Sequence, residues 1–428
     1  MPWLVGTAFL HSVMMQEKRG MLKTWNMWLV FLSFWLAIWG TFLTRSGMIS
    51  SVHAFAQSPI GMWFLVFIFI SFITFGVAYI LNCRYLRSEH KLESMISRES
   101  SFLFNNLLFV TACFTVFWGT FFPKISEWLQ GNKVTVGAPF YNNVAVPVAL
   151  LLLLLTAVGP LLAWRRTSLE SLRRNFMWPA LGGLVVGVLM MILGVRPWKD
   201  VAYFYSLMAA MLATLVMLTV ISEFVRGGRV ISRHTGFSLF GSMLHLWHRN
   251  TRRYGGYIVH FGVAVVIIGI LGTPFNRDAE KEMGFGDKMN IGPYTLVCQS
   301  YTMDDNPNYG NEWAIINVFK GDQQITTMYP ERRLYKASSQ PQTIPRIYPT
   351  YAQDLFLVSD LYVVYEGRNE ETGRPIIKAH LNPMVPWIWS GLIIMIFGTI
   401  TCLIPNTSPL RATVPARIQT APAVGAGD

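Results

Sequence analysis

The sequence predicts an all-α polytopic membrane protein with about nine transmembrane helices and one small β-rich extracytoplasmic domain. Three observations support this fold class. The 428 residues have a mean hydropathy of +0.38, and only 14% of them are charged, too few for the surface of a soluble protein. Apolar runs long enough to cross a bilayer also recur along the chain.

The apolar runs predict eight spans within residues 1–272 and one more near the C-terminus. The predicted spans are 1–15, 25–43, 62–82, 102–122, 145–163, 178–195, 202–222, 255–272 and 384–404. All except the first are long enough to cross the hydrocarbon core, because a helix needs about 20 residues to do so. The first is short and ends at the polar cluster Gln16-Glu17-Lys18-Arg19.

Basic residues in the connecting loops predict the orientation. One set of loops is rich in Lys and Arg, and the alternate loops are poor in both. The rich set contains Lys18, Arg19, Lys23, Arg84, Arg87, Lys91, Arg98, Arg165, Arg166, Arg173, Arg174, Arg226, Arg229, Arg233, Arg249, Arg252 and Arg253; the poor set contains Arg45, Lys124, Lys133, Arg196 and Lys199. The rich loops are therefore predicted to be cytoplasmic, which places residues 44–61 and 273–383 on the outer face.

Residues 273–383 form the predicted β-rich periplasmic domain. Short apolar and β-branched runs at 294–298, 313–319, 324–329, 355–358, 361–365 and 375–378 are separated by Gly, Asn, Asp and Pro. This pattern is typical of a small antiparallel sheet or barrel. The tail 405–428, rich in Pro and Ala, is predicted to be disordered and cytoplasmic.

The distribution of charge and the motifs that the sequence lacks exclude several function classes. The net charge of +12 does not indicate nucleic-acid binding, because the basic residues are dispersed among short loops. The sequence has no P-loop, no GxSxG, no HExxH and no CxxC, and its four cysteines are widely separated. Nothing therefore indicates nucleotide-driven, hydrolytic or thiol-exchange chemistry.

Two histidines lie inside predicted spans, where an imidazole is costly unless it is paired. His11 lies five residues before Gln16, and His260 lies five residues after Gly255. At 1.5 Å per residue, both are roughly 7–8 Å into the membrane from the cytoplasmic side. Two imidazoles at one level are typical axial ligands of a heme b in a helical bundle, and Gly6, Gly256 and Gly262 would allow a flat macrocycle to approach. Hydrogen-bonded packing residues are the alternative.

A second group of candidates lies at the outer face. His53 occupies a small-residue loop beyond the second span, and Arg45, which precedes it, could pair with a heme propionate. An exposed loop histidine and an interfacial arginine are the alternatives. Trp28, Trp35 and Trp39 have helical spacing and are more typical of packing or lipid contact than of a cofactor site.

Four stretches resemble the cytochrome c maturation protein CcmF, a heme-handling subunit of the bacterial cytochrome c heme lyase. They are MPWLVGTAFLHS at 1–12, GTFLTRSG at 40–47, SVHAF at 51–55 and YIVHFGVA at 257–264, with a weaker match in PERRLY at 330–335. The resemblance runs from residue 1 to about residue 404. It implies an inner-membrane enzyme subunit that attaches heme to a CxxCH apocytochrome c.

The resemblance also implies roles for individual residues. Histidines like His11 and His260 ligate a structural heme b, and one like His53 is one of two outer axial ligands of the substrate heme. The family's tryptophan-rich motif and first outer histidine would precede Met1. This implies a C-terminal portion, a misassigned start codon or a split gene.

The implied partners are a heme chaperone, apocytochrome-presenting subunits, apocytochrome c, membrane lipid and, as a candidate electron donor, quinol. Nucleic acid is not among them. Two other classes remain open at this stage. A transporter or channel would be expected to show related halves or broken helices, and a quinol-linked electron-transfer subunit would be expected to show a second stacked histidine pair.

Overall fold

The computed structural model describes residues 1–48, 60–272, 275–336, 340–348 and 359–405. The helices are α1 Pro2–Arg19, α2 Lys23–Arg45, α3 Ile60–Asn82, α4 Arg98–Gln130, α5 Ala138–Val158, α6 Leu169–Ile192, α7 Val201–Thr235, α8 Leu239–Arg249, α9 Thr251–Ile270 and α10 Val385–Leu403. Eight of these, all except α1 and α8, are long and apolar enough to cross a membrane. The predicted fold class, a helical membrane protein with a β-rich domain, is confirmed.

Helix α1 differs from the other predicted spans because its last turn is charged. Lys18 and Arg19 complete the helix, and Gly20 ends it in the left-handed conformation with φ of 62°. The apolar side of α1 is nevertheless buried, since Val5 and Ala8 pack against Leu29 of α2 and Cys113 of α4. Packing against α2 and α4 therefore stabilises α1, in addition to its own apolar character.

The helices form two groups. In the first, α1 packs against α2 and α4, and α2 packs against α3. In the second, α7 packs against α5, α6, α8 and α9, and α9 packs against α10. Contacts between α4 and α5 join the groups. A seam therefore separates α1–α4 from α5–α10.

Helices α9 and α10 approach closely along a line of glycines. Gly255, Gly262 and Gly269 on α9 recur every seven residues, or about two helical turns, and they face Gly391 and Gly398 on α10. A Cβ built at Gly391 would lie 2.7 Å from the carbonyl oxygen of Gly262. Only glycine permits this backbone separation, which is the usual reason for small residues at membrane helix contacts.

The β-rich domain is inserted between α9 and α10. Its strands are β1 Arg277–Glu282, β2 Lys288–Ile291, β3 Tyr294–Asp305, β4 Tyr309–Lys320, β5 Gln323–Met328, β6 Glu331–Tyr335, β7 Gln340–Ile344, β8 Arg346–Tyr348, β9 Ser359–Arg368 and β10 Pro375–Pro383. One sheet has the order β1-β10-β9-β8, and the other has the order β2-β3-β4-β6-β7 with β5 beside β4. All pairings are antiparallel.

Residues from both sheets enclose one apolar core. Leu361, Val363 and Tyr365 alternate along β9 and are fully buried, as are Leu296 and Cys298 on β3. This alternation is the period of two that a half-buried strand requires. Five of the six predicted strands coincide with β3, β4, β5, β9 and β10, while the sixth, 355–358, lies outside the described residues.

Candidate functional site

The seam between the two helix groups contains the pair of intramembrane histidines. The ring centroids of His11 on α1 and His260 on α9 are 6.3 Å apart, and the ring planes differ by only 6°. Two residues at similar predicted depth, far apart in sequence, therefore lie side by side. The contact crosses from the first helix group to the second.

The hydrogen bonding of His11 leaves one ring nitrogen available. Its Nδ1 lies 2.8 Å from the carbonyl oxygen of Thr7, one turn earlier in α1. Since a carbonyl can only accept, Nδ1 carries the proton and donates it, and Nε2 has a free lone pair. A backbone carbonyl bound to the opposite ring nitrogen is the usual support of a metal-ligating histidine.

His260 contains a buried polar atom without a partner. Its Nδ1 makes no hydrogen bond to any described residue. A neutral imidazole in the membrane needs a partner for each nitrogen, since an unsatisfied buried polar group costs about 1–3 kcal/mol. Burial of the His260 ring at this place therefore costs more free energy than burial of an apolar packing residue would.

The pair fits a bis-imidazole heme site. With metal–nitrogen bonds of about 2 Å on each side, two coaxial imidazoles lie about 6 Å apart, centre to centre, because each ring adds about 1 Å. The observed centroid separation of 6.3 Å matches this spacing, and the ring planes are nearly parallel. The aromatic rings of Phe102 and Phe109 on α4 each lie 6.2 Å from His11 and provide an apolar wall.

The glycines near the pair have other roles. The role predicted for Gly262 is wrong, because it faces the backbone of Gly391 on α10. Gly6 faces Ser33 of α2, with a built Cβ 3.6 Å from the hydroxyl oxygen, and Gly256 has no atom within 4 Å. The glycines at positions 6 and 262 therefore serve helix packing.

The outer-face candidates are separated from this pair. Arg45 is the last residue of α2 and its side chain is exposed, with no ion pair to any residue in the described ranges. His53 lies outside the described residues. Arg45 ends α2, whereas His11 and His260 lie near the middle of α1 and α9.

The tryptophan stripe on α2 is mainly packing. Trp28 contacts Phe75 of α3 edge-on with centroids 4.9 Å apart, and Trp35 stacks on Trp39 at 5.1 Å. The indole nitrogens of Trp35 and Trp39 are buried and have no hydrogen-bond partner in the described part of the chain. Trp28 thus joins α2 to α3, and Trp39 joins α2 to α4 through Phe117 and Phe121.

Two polar residues on α4 were missed by sequence reasoning. Arg98 was assigned to an inner loop because the apolar run begins at residue 102, but α4 already begins at Arg98, after a capping box formed by Ser97 and Ser100. The serine at 97 was the available signal. Asn105 lies one turn beyond Phe102, and no hydropathy pattern distinguishes it.

Comparisons with known proteins agree with this architecture. Residues 274–383 match a family model described as the CcmF C-terminal β-sandwich. The chain is 32% identical over 403 residues to the cytochrome c-type biogenesis protein CcmF of Pseudomonas aeruginosa, covering 93% of this chain and 58% of the relative. It is 32% identical over 440 residues to CycK of Rhizobium meliloti, covering 100% and 61%.

A solved structure named cytochrome c heme lyase CcmF has the same fold, with a TM-score of 0.68 at 26% identity. The superposition covers 94% of this chain and 58% of that one. The chain spans about three-fifths of the length of the relatives that it matches. By sequence and by fold, it belongs to the CcmF family of cytochrome c-type biogenesis proteins.

Proposed function

We propose that the chain is part of a cytochrome c heme lyase in the bacterial inner membrane. It would help to attach heme to the CxxCH segment of apocytochrome c on the periplasmic face, where the β-sandwich would dock partner subunits. The proposal is supported by the names of the relatives and by basic residues concentrated in the loops on the side opposite to the sandwich.

The observation that carries the cofactor proposal is the parallel His11–His260 pair at 6.3 Å. In this proposal, the imidazoles of His11 and His260 would hold the iron of a heme b. The Thr7 carbonyl holds the ring of His11 in the tautomer that presents Nε2, and it raises the basicity of that nitrogen. Such a heme would supply one-electron chemistry, with quinol as a candidate donor, to keep the substrate iron reduced.

The outer end of the bundle would receive the substrate heme. His53 would supply one axial ligand, and the exposed guanidinium of Arg45 would bind a propionate through charge-assisted hydrogen bonds. The heme chaperone would deliver this heme, and apocytochrome-presenting subunits would bring the thiols. These thiols belong to the substrate, which agrees with the absence of a CxxC motif in this sequence.

Spectroscopy of the purified protein tests the cofactor. We expect a low-spin b-type spectrum that is lost in His11→Ala and in His260→Ala. His245→Ala is the matched control, because His245 is exposed on α8 and lies outside the pair. Full retention of the spectrum in both pair variants would refute the heme b assignment.

Reconstitution tests the enzyme. Co-expression with the other maturation subunits, including any chain that supplies the tryptophan-rich segment, should yield covalent holocytochrome c. His53→Ala should abolish that yield while leaving the b-type spectrum unchanged. A colourless protein that moves solute across liposomes would instead support a transporter, and a spectrum with two b hemes would support an electron-transfer subunit.

A further inference from the structure

One face of α4 lines the histidine pair. Phe102 and Phe109, seven residues apart, both contact the His11 ring. Arg98 and Asn105 are also seven residues apart, so they lie on an adjacent stripe of the same helix. Arg98 is one turn from Phe102 on the cytoplasmic side, and Asn105 is between the two phenylalanines.

Both polar residues on this face contain buried atoms without a partner. Within the described ranges, Arg98 Nε and Asn105 Nδ2 make no hydrogen bond. His260 Nδ1, on α9, is a third buried atom without a partner in the described ranges. Buried donors are rarely left unpaired in folded proteins, so this face of α4 is suited to a ligand with polar groups at its edge.

Arg98 is connected to the histidine pair through aromatic contacts. Its guanidinium lies 5.1 Å from the ring centre of Trp164, and Trp164 lies 6.2 Å from Phe102, which contacts His11. Arg98 is also close enough to Tyr257 for electrostatic interaction, and Tyr257 is one turn before His260 on α9. Arg98 is therefore one helical turn from Phe102, which contacts His11, towards the end of α4 that is predicted to be cytoplasmic.

The neighbouring carboxylates already have cationic partners. Glu99 is fully buried and binds Arg19 at 2.7 Å, and Glu223 binds Arg253 at 2.9 Å. Among the described residues, Arg98 forms no ion pair. Glu223 acts on Arg98 only at longer range than an ion pair, and a partly buried guanidinium with no carboxylate in contact is costly at a membrane helix, which favours an anionic group from elsewhere.

The geometry of the pair indicates where such an anion would come from. A macrocycle held between the two imidazoles would lie perpendicular to the line that joins the ring centres. Because that line runs from one helix to another, the edge of the macrocycle would extend along the helix axes. The proposed heme has two carboxylates at its edge, and these avoid hydrocarbon. We propose that Arg98 binds a propionate of this heme, with Asn105 as a second donor beside the ring. This role of Arg98 rests on the proposed heme b between His11 and His260.

The test uses the purified full chain and the variants Arg98→Gln and Arg98→Lys. Resonance Raman spectroscopy of the heme propionate bending band reports the hydrogen bonding of the propionates, which other bound anions would not affect. The midpoint potential is measured on the same samples. Arg166→Gln is the matched control, because Arg166 is an exposed arginine on the same side of the membrane.

We expect Arg98→Gln to keep the low-spin spectrum but to shift the propionate band. Loss of the cation should also lower the equilibrium constant for heme reduction about tenfold, which is about 59 mV for one electron. Arg98→Lys should restore the potential but not the full band position, because lysine cannot bind a carboxylate in bidentate fashion. Arg166→Gln should match the wild type in both readouts.

Two results overturn the proposal in distinguishable ways. A low-spin heme whose propionate band is the same in wild type, Arg98→Gln and Arg98→Lys would refute the role of Arg98 alone. A wild-type protein without heme would refute the proposed function, and the role of Arg98 with it. If Arg98→Gln does not accumulate, the band position in Arg98→Lys decides the question, since the charge is preserved.

Discussion

Replacement of Gly262 by alanine should separate α9, which carries His260, from α10. Gly262 lies two residues after His260 on α9, and it faces α10. A Cβ at this position would be 2.8 Å from the carbonyl oxygen of Gly391 and 2.9 Å from the backbone nitrogen of Met395. Both are backbone atoms, so no side-chain rotation can relieve the contact.

The size of the effect follows from these distances. Ordinary van der Waals contact of a Cβ begins at 3.4 Å, so α10 must move by roughly 0.6 Å (3.4 minus 2.8) or α9 must move towards α7. Overpacking of a well-packed interior costs about 1–3 kcal/mol. If α9 moves, the separation of the His11 and His260 rings changes as well, because His260 is fixed to α9.

The assay compares Gly262→Ala with Gly256→Ala in thermal unfolding of the purified protein in detergent. Gly256 lies on the same helix but has no atom within 4 Å of a built Cβ, so alanine there should be neutral or should gain up to about 1 kcal/mol of helix propensity. Gly262→Ala should melt at a lower temperature and lose its low-spin absorbance earlier. Equal stability of the two variants would refute this account of the α9–α10 contact.

Two further predictions concern buried carboxylates. Burial raises the pKa of the Asp360 carboxyl in the sandwich, so the folded state binds a proton more tightly than the unfolded chain. Stability should therefore fall as the pH rises from the unfolded pKa of about 3.9 through the raised folded value. Asp360→Asn should remove this slope in melting curves of the full chain recorded from acidic to neutral pH, and an unchanged slope would contradict the assignment. Glu99→Gln should destabilise the bundle by about 3–5 kcal/mol in denaturant titrations, because it leaves Arg19 without its buried partner. Glu93→Gln, whose carboxylate is half-exposed, should cost less than about 1 kcal/mol, so similar losses in both variants would argue against a buried ion pair.

The sequence was sufficient to predict the eight helices that are long and apolar enough to cross a membrane, while their orientation stays a prediction. Hydropathy is a property of a single segment, and a run such as 62–82 can avoid water only by entering the bilayer or a core. The similar depth of His11 and His260 also follows from counting residues along each helix. Strands β3, β9 and β10 could be predicted because their apolar residues alternate, whereas β1 and β6 are polar and lack that signal.

Only the tertiary structure decided which segments are neighbours. Depth is one coordinate of a membrane helix, and the lateral position is determined by packing between segments that are distant in sequence. The 6.3 Å separation of the His11 and His260 rings, the Gly262–Gly391 contact and the unpaired cation at Arg98 all depend on that packing. Side-chain fit between helices is not encoded in the hydropathy of either helix alone, so these contacts could not be derived from the sequence.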